Sequence, residues 1–349
     1  MVVQRNLFVS GAEGYHTYRI PALAVTGQGT VLAFCEGRKH SPADTGDIDI
    51  LLKRSFDGGR TWEATQVVVA GGGHTAGNPA PVVDRDTGTI LLLFCRNNID
   101  GPEKVIIEGK APRTVWLTKS DDDGATWSEP VEITSSVKRP EWTWYATGPC
   151  HGVQLASGRL VVPCDHVVLT EKASTEYPFY SHVIYSDDHG LTWHIGGILG
   201  PCVNESVVVE LKESLYINCR GSHVETYRRG YAHSYDGGLT FTELAWDEAL
   251  VEPRCQGSAI AAEVSGKSYV LFSNPASTER KQMTIKLSDD ECRTWHHGVL
   301  LNEGPSAYSD LCVLSDGTVL SLYERGEATP YEYLTLATMN LADLVKGCA

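Results

Sequence analysis

The chain has 349 residues, 42% of them hydrophobic, and its 44 acidic against 29 basic residues give a formal net charge of −15. That charge argues against a nucleic-acid partner, which needs a basic face to displace counterions, and no run of about 18 apolar residues marks a membrane span. A small anionic substrate stays open, because a pocket can be locally basic inside an acidic protein.

The first residues, MVVQRNLFVSGAEGYHTYRI, show no basic stretch followed by a long apolar segment and a small-residue cleavage site. A cytoplasmic protein is therefore expected. HTYRIPALAV (16–25) is strand-like, and its one charge is Arg19, which is costly to bury without a partner. Short β-type runs follow in order: TVLAFCEGR, DIDILLKRS, TILLLFCRN, TVWLTKS, RLVVPCD, SHVIYSD, VVVELKESLYINCR, SYVLFSN, MTIKLSD and TVLSLYER. They are rich in Val, Ile, Leu, Tyr and Thr and are broken by turn residues. The best helical segment is the tail, NLADLVKG (340–347).

One pattern repeats, Ser-x-Asp-x-Gly-x-Thr-Trp. It stands as SFDGGRTW (55–62), SDDDGATW (120–127) and SDDHGLTW (186–193), then as SYDGGLTF (234–241) with Phe for Trp, and as SDDECRTW (288–295) with Cys292 in the glycine place. The Asp can accept hydrogen bonds from the turn's own amides, the Gly supplies a positive φ, and the Trp returns a large ring beneath the turn. Successive copies start 65, 66, 48 and 54 residues apart. That spacing, with about four strands between corners, suits one propeller blade plus loops. An all-β, six-bladed β-propeller is predicted, as a single domain over residues 1–349, because no linker or charge block divides the chain.

None of the ten cysteines forms a Cys-x-x-Cys pair, and several sit in strand-like runs. Buried, reduced thiols are expected rather than zinc ligands or a disulfide framework. His296 and His297 follow a Trp in a turn, which reads as a solvated turn and not as a metal site. No HExxH, nucleophile elbow, P-loop or dinucleotide fingerprint is present, so no cofactor and no metal are expected.

YRIPAL followed by five Asp-containing hairpins resembles the sialidase (exo-α-neuraminidase) family of six-bladed β-propellers, over almost the whole chain. The resemblance implies hydrolysis of terminal α-linked sialic acids with retention, on sialylated oligosaccharides, glycoproteins or gangliosides. It assigns three arginines to the substrate carboxylate: Arg19 in YRIPAL, Arg220 in LYINCRGS and Arg280 in SNPASTERKQ. A planar guanidinium fork suits a carboxylate where lysine does not. Glu324, in LSLYERG, matches the glutamate beside the first arginine. Tyr308, in PSAYSDL, matches the nucleophile, and Glu205, in CVNESVVVEL, the base that activates it. Glu210 ranks behind Glu205. The nearby arginines are expected to lower the tyrosine's pKa. Asp44, in PAD, matches the general acid/base, with Asp47 as runner-up and Asp49 read as a strand residue. Arg38 is implied to orient the sugar, with Glu36 bracing it, and Asn78 to line the pocket near the acyl-amino group. Tyr177 and Tyr180 are weaker matches to the glycerol tail, Trp142 and Trp144 fit core or rim, and Arg254 and Gln256 receive no role. The one sequon, NES (204–206), contains the proposed base, which favours a protein without a glycan there. Two other readings stay open: a non-catalytic sialic-acid-binding propeller, and a trans-sialidase or intramolecular trans-sialidase variant.

Overall fold

The computed structural model describes residues 2–169, 179–222 and 226–347. Tyr177 and Cys348 lie outside the described residues. The fold is all-β, with 24 strands and three short helices among the described residues. In chain order these are β1 (Val3–Val9), β2 (Thr17–Val25), β3 (Val31–Arg38), β4 (Ile48–Ser55), β5 (Gln66–Val69), β6 (Thr75–Val83), β7 (Ile90–Asn97), α1 (Glu103–Ile107), β8 (Arg113–Ser120), β9 (Val131–Glu132) and α2 (Thr134–Val137). They continue with β10 (Trp142–Thr147), β11 (Val153–Gln154), β12 (Leu160–Val168), β13 (Phe179–Ser186), β14 (His194–Leu199), β15 (Val203–Glu210), β16 (Leu215–Gly221), β17 (Arg228–Ser234) and β18 (Ala245–Val251). The last are β19 (Ser258–Val264), β20 (Lys267–Pro275), β21 (Lys281–Ser288), β22 (His296–Val313), β23 (Thr318–Arg325), β24 (Tyr333–Asn340) and α3 (Leu341–Gly347). The tail helix falls where its sequence pattern places it. The two other helices are of five and four residues, too short for a periodic apolar signal.

The strands pair antiparallel, except for a parallel contact of β4 with β6 at Ile48 and Thr75, giving the sheet orders β2-β3-β4-β6-β7-β8-β9, β10-β12-β13-β14, β15-β16-β17-β18 and β1-β24-β23-β22-β21-β20-β19. The first and last parts of the chain meet in one sheet, because β1 pairs with β24. The strands β2, β6, β11, β15, β19 and β22 pack side by side and close a ring, with β22 returning to β2. Separate apolar cores lie between sheet faces. In one, Val82, Leu91 and Leu93 meet Leu160, Val162, Ile184 and Trp193.

The repeated turns show why the motif recurs. Ser55 Oγ donates to Asp57 Oδ1 (2.9 Å) and accepts from the Gly59 amide (2.8 Å). Asp57 accepts from the Arg60 and Thr61 amides (3.0 and 2.8 Å) and from Thr61 Oγ1 (2.6 Å). The irregular fifth copy closes in the same way. Asp290 accepts from the Thr294 amide and hydroxyl (2.9 and 2.6 Å), and the Cys292 amide donates to Ser288 Oγ (2.9 Å). Cys292 takes up the glycine-like backbone with φ +65°. Its buried side chain packs with Val207, Tyr216 and Phe272, which offsets the strain. All nine described cysteines are free, and eight of them are buried.

Candidate active site

Five strands of the ring region carry a register irregularity at the same end. It falls between Arg19 and Ala22 in β2, Gly77 and Ala80 in β6, Trp142 and Tyr145 in β10, Val203 and Ser206 in β15, and Ser306 and Ser309 in β22. A bulge adds a residue to one strand and re-aims its side chain. These irregularities hold or adjoin Arg19, Asn78, Trp144, Glu205 and Tyr308, and all five line one cleft of about 500 Å³. Ile20 and Asn78 have φ of +58° and +56°, unusual for any residue with a side chain and most of all for β-branched Ile20.

Glu324, fully buried on β23, holds the first of these kinks. Its carboxylate accepts from Arg19 Nε (3.0 Å) and Nη2 (3.1 Å), from the Ile20 amide (3.0 Å) and from the Tyr308 amide (3.0 Å). Four donors on one carboxylate satisfy a charge that would otherwise be prohibitive to bury.

Tyr308 stands at the centre. Its hydroxyl donates to Glu205 Oε1 at 2.5 Å and accepts from Arg220 Nη1 at 3.1 Å. Arg220 Nη1 also meets Glu205 Oε2 at 2.7 Å. The Arg19 and Arg280 guanidiniums lie 5.0 and 5.6 Å from the centroid of the Tyr308 ring. The three arginines therefore converge on one tyrosine from β2, from the end of β16 and from the residue before β21. Their braces differ. Arg19 has Glu324 and Arg220 has Glu205, whereas Arg280 Nη1 donates to the Tyr331 hydroxyl (2.7 Å) and Nη2 to the Arg254 carbonyl (3.3 Å). Arg280 has no carboxylate partner among the described residues. The cluster is thus under-neutralised and suited to an incoming anion.

The phenol does not follow the expectation from its neighbours. Burial pushes the Tyr308 hydroxyl well above its usual range, the Glu205 charge pushes it further, and Arg220 and Arg280 recover only part of this. The arginines were expected to dominate, but Tyr308 is 6% exposed and its nearest charge is negative. An unassisted phenolate is disfavoured here, and proton removal must pass to Glu205.

Asp44 lies in the β3–β4 loop with its side chain 63% exposed, 2.7 Å from Arg38 Nη1 and 3.3 Å from Arg19 Nη1. Desolvation raises its carboxyl, but Arg38 and Arg19 outweigh that and hold it below the usual range. Arg38 is braced by Glu36 at 2.7 Å, and Glu36 also accepts from the Asn78 amide at 2.8 Å. Asp47 pairs with Lys39 instead, and Asp49 with Lys39 and the Tyr15 hydroxyl. Glu210 sits at the other end of β15, accepting from the Ala156 amide.

The structure adds residues that the sequence did not single out. Arg113 is buried, donates to Asn78 Oδ1 (2.5 Å) and to the Tyr145 carbonyl (2.5 Å), and lies 4.2 Å from the centroid of the Trp144 ring. Trp144 Nε1 donates to Asp165 Oδ1 at 3.1 Å. Glu103 and Lys104 of α1, Phe179 and Tyr331 complete the walls. Tyr331 also lies 4.3 Å beneath the Arg19 guanidinium. No local motif marks any of these. Of the two tryptophans, Trp142 is core and stacks on His166 at 3.6 Å, while Trp144 faces the cleft. Tyr180 stacks on His166 at 5.4 Å. Gln256 is structural, bonding the Ser309 amide (3.0 Å) and carbonyl (3.0 Å) next to Tyr308.

Comparison with known proteins places this architecture. A family profile described as a BNR repeat-like domain matches residues 29–320. The chain is 34% identical over 374 residues to a sialidase of Micromonospora viridifaciens, with all of this chain aligned but only 55% of that protein's length. It is 31% identical to sialidase-3 of Mus musculus, covering 94% of this chain and 92% of that one. The solved structure of the Hadza microbial sialidase Hz136 superposes with a TM-score of 0.88 at 31% identity, over 98% of this chain and 69% of that one.

Proposed function

This chain belongs to the sialidase family, and from that membership we propose that it is an exo-α-sialidase that releases terminal α-ketosidically linked sialic acids with retention. Sialylated oligosaccharides, glycoproteins or gangliosides are its substrates. The observation that carries the proposal is the Tyr308–Glu205 hydrogen bond with three guanidiniums gathered around the same tyrosine.

The chemistry follows from charge. Sialic acid bears a carboxylate on the carbon to be attacked, and Arg19, Arg220 and Arg280 receive it. A carboxylate nucleophile would meet like-charge repulsion there. A tyrosine avoids this, and sialidases are a known exception to the two-carboxylate pattern of glycosidases. Because the Tyr308 hydroxyl is hard to ionise in place, Glu205 takes its proton as the oxygen attacks. Asp44 supplies the proton to the leaving oxygen. In the empty site two arginines keep it ionised, but the substrate carboxylate offsets Arg19, so the Asp44 carboxyl moves up when substrate is bound and can hold the proton that it donates. In the second half-reaction Asp44 takes a proton from water, which displaces Tyr308 from the sugar, and Glu205 returns its proton to the departing Tyr308 oxygen.

The fold is read in the same terms, as one propeller domain of six blades. The blades are β2–β5, β6–β9, β10–β14, β15–β18, β19–β21 with the first part of β22, and the second part of β22 with β23, β24 and β1. The repeated Ser-x-Asp turns are Asp-box hairpins. This supports the functional reading, because blades around an axis bring distant segments to one end.

The test is release of a fluorogenic sialoside by the wild type and by Tyr308→Phe, with proton NMR of the first sugar released. The wild type should give the α-anomer first, and Tyr308→Phe should lose on the order of a thousandfold or more in kcat. A β-anomer as first product, or a fully active Tyr308→Phe, would overturn the mechanism. An inert wild type would leave only the binding reading.

A further inference from the structure

Among the described residues, Asp165 is the one buried carboxyl lining the cleft that the chemistry above does not use and no cation satisfies. It lies on β12, is 1% exposed, and contributes to the cleft wall with Trp144, Phe179 and Arg113. Its Oδ1 accepts from Trp144 Nε1, and its Oδ2 is buried with no hydrogen-bond partner among the described residues. Among the described residues no Lys or Arg lies within ion-pair distance of it. The charged groups that face it are Glu205 from β15, Arg113 from β8, Arg220 from β16 and Glu103 from α1. Arg113 and Arg220 are already committed, to Asn78 and the Tyr145 carbonyl and to Glu205.

A buried carboxylate with one oxygen unpaired and an anion nearby is costly. The neutral acid is not, since its proton sits on the oxygen that lacks a donor. Burial, and then Glu205, push this carboxyl well above its ordinary range, against the pull of Arg113 and Arg220. We infer that Asp165 is a specificity residue: a neutral carboxylic acid that turns its O–H toward the cleft it lines when the sugar binds and donates to an uncharged oxygen there, a hydroxyl or an acyl carbonyl. The inference rests on the sialidase reading of the cleft. It explains how a site crowded with arginines can recognise the uncharged part of its substrate. A donor that carries no charge rewards a neutral acceptor without drawing a second anion into the cleft.

The experiment is infrared difference spectroscopy of the wild type against Asp165→Asn, with and without the unsaturated glycal of sialic acid. The wild type should show a protonated-carboxyl stretching band that Asp165→Asn lacks, and the band should move when the glycal binds. In parallel, Asp165→Asn, which keeps a donor, should stay within about threefold of wild-type kcat/KM, while Asp165→Leu should lose about 10-fold to 100-fold, mainly in KM. If the band is missing or does not move on binding, or if Asp165→Leu binds as well as the wild type, the assignment falls. If the wild type does not bind the glycal, the sialidase reading itself fails, and this one with it.

Discussion

Replacing Glu324 by Gln tests whether one buried carboxylate holds both the substrate-binding arginine and the nucleophile. Its two oxygens each accept two donors: Oε1 from Arg19 Nε and the Ile20 amide, Oε2 from Arg19 Nη2 and the Tyr308 amide. Glutamine offers one oxygen and one NH2. In either orientation two N–H groups then face another donor, and Arg19 keeps only the exposed Asp44, 3.3 Å from its Nη1, as a counter-charge. Removing one partner of a buried ion pair costs about 3–5 kcal/mol. At roughly 2.1 cal/mol/K per residue, unfolding this chain carries an entropy of about 0.7 kcal/mol/K, so the expected loss in melting temperature is about 4–7 °C. Calorimetry measures the midpoint, and steady-state kinetics on a fluorogenic sialoside measures the second effect. Without its amide anchor Tyr308 can shift in its bulge, and kcat should fall by about 100-fold or more. A Glu324→Gln protein that melts within about 1 °C of the wild type and turns over normally would refute the reasoning, because four hydrogen bonds and a charge pair cannot be both formed and without consequence.

Two further outcomes follow from the same geometry. In kcat/KM, which reports only the first half-reaction, Asp44→Asn should lose about 100-fold to 10,000-fold on natural sialosides but far less on aryl sialosides with acidic leaving groups, which need no protonation; equal losses in kcat/KM on both would show that Asp44 does not act as the acid. His166 and His182 are buried with their Nδ1 atoms 3.0 Å apart. Burial first, then Arg139 and Lys138, lower His166 to about 3, and burial with His166 lowers His182 well below its usual value. Both bases are neutral when folded and titrate near 6.5 when unfolded. The unfolded chain therefore binds more protons between these values, and stability falls as pH falls through that window, by about 1.4 kcal/mol per pH unit for each group. Melts at about pH 6 and about pH 4.5 should show a shallower loss for His166→Asn than for the wild type; parallel slopes would mean that His166 is not held neutral.

Much of the fold was legible because its signals are local. A Ser, an Asp, a Gly and a Thr within eight residues close a turn on themselves, as the bonds of Asp57 and Asp290 show, so each copy can be read without its neighbours. The apolar runs between turns gave strands within a residue or two at β3, β4, β7 and β8. The arginines, Tyr308, Glu205 and Asp44 were legible only through family motifs. Nothing in LYINCRGS by itself states that Arg220 will reach a tyrosine 88 residues away. Arg113, Trp144, Asp165 and Tyr331 carry no motif, and Trp144 was not separable from Trp142 because both sit in one short strand.

At Trp144, and at the motif residues Arg19, Asn78, Glu205 and Tyr308, the missing signal is the bulge. A strand read from sequence has a strict alternation, and alternation assigns each side chain a face. The site breaks that rule in five strands at the same level, and each break turns a side chain toward the cleft. The energy that holds these kinks is not local either: Glu324 on β23 holds Ile20 on β2 and Tyr308 on β22 with the same carboxylate. The same holds for the sign of the Tyr308 shift. Sequence supplies the neighbouring charges, but burial decides which of them prevails, and burial belongs to the assembled ring. A chain can therefore declare its turns and its motif residues while leaving silent both the geometry that aims them and the protonation states on which the chemistry depends.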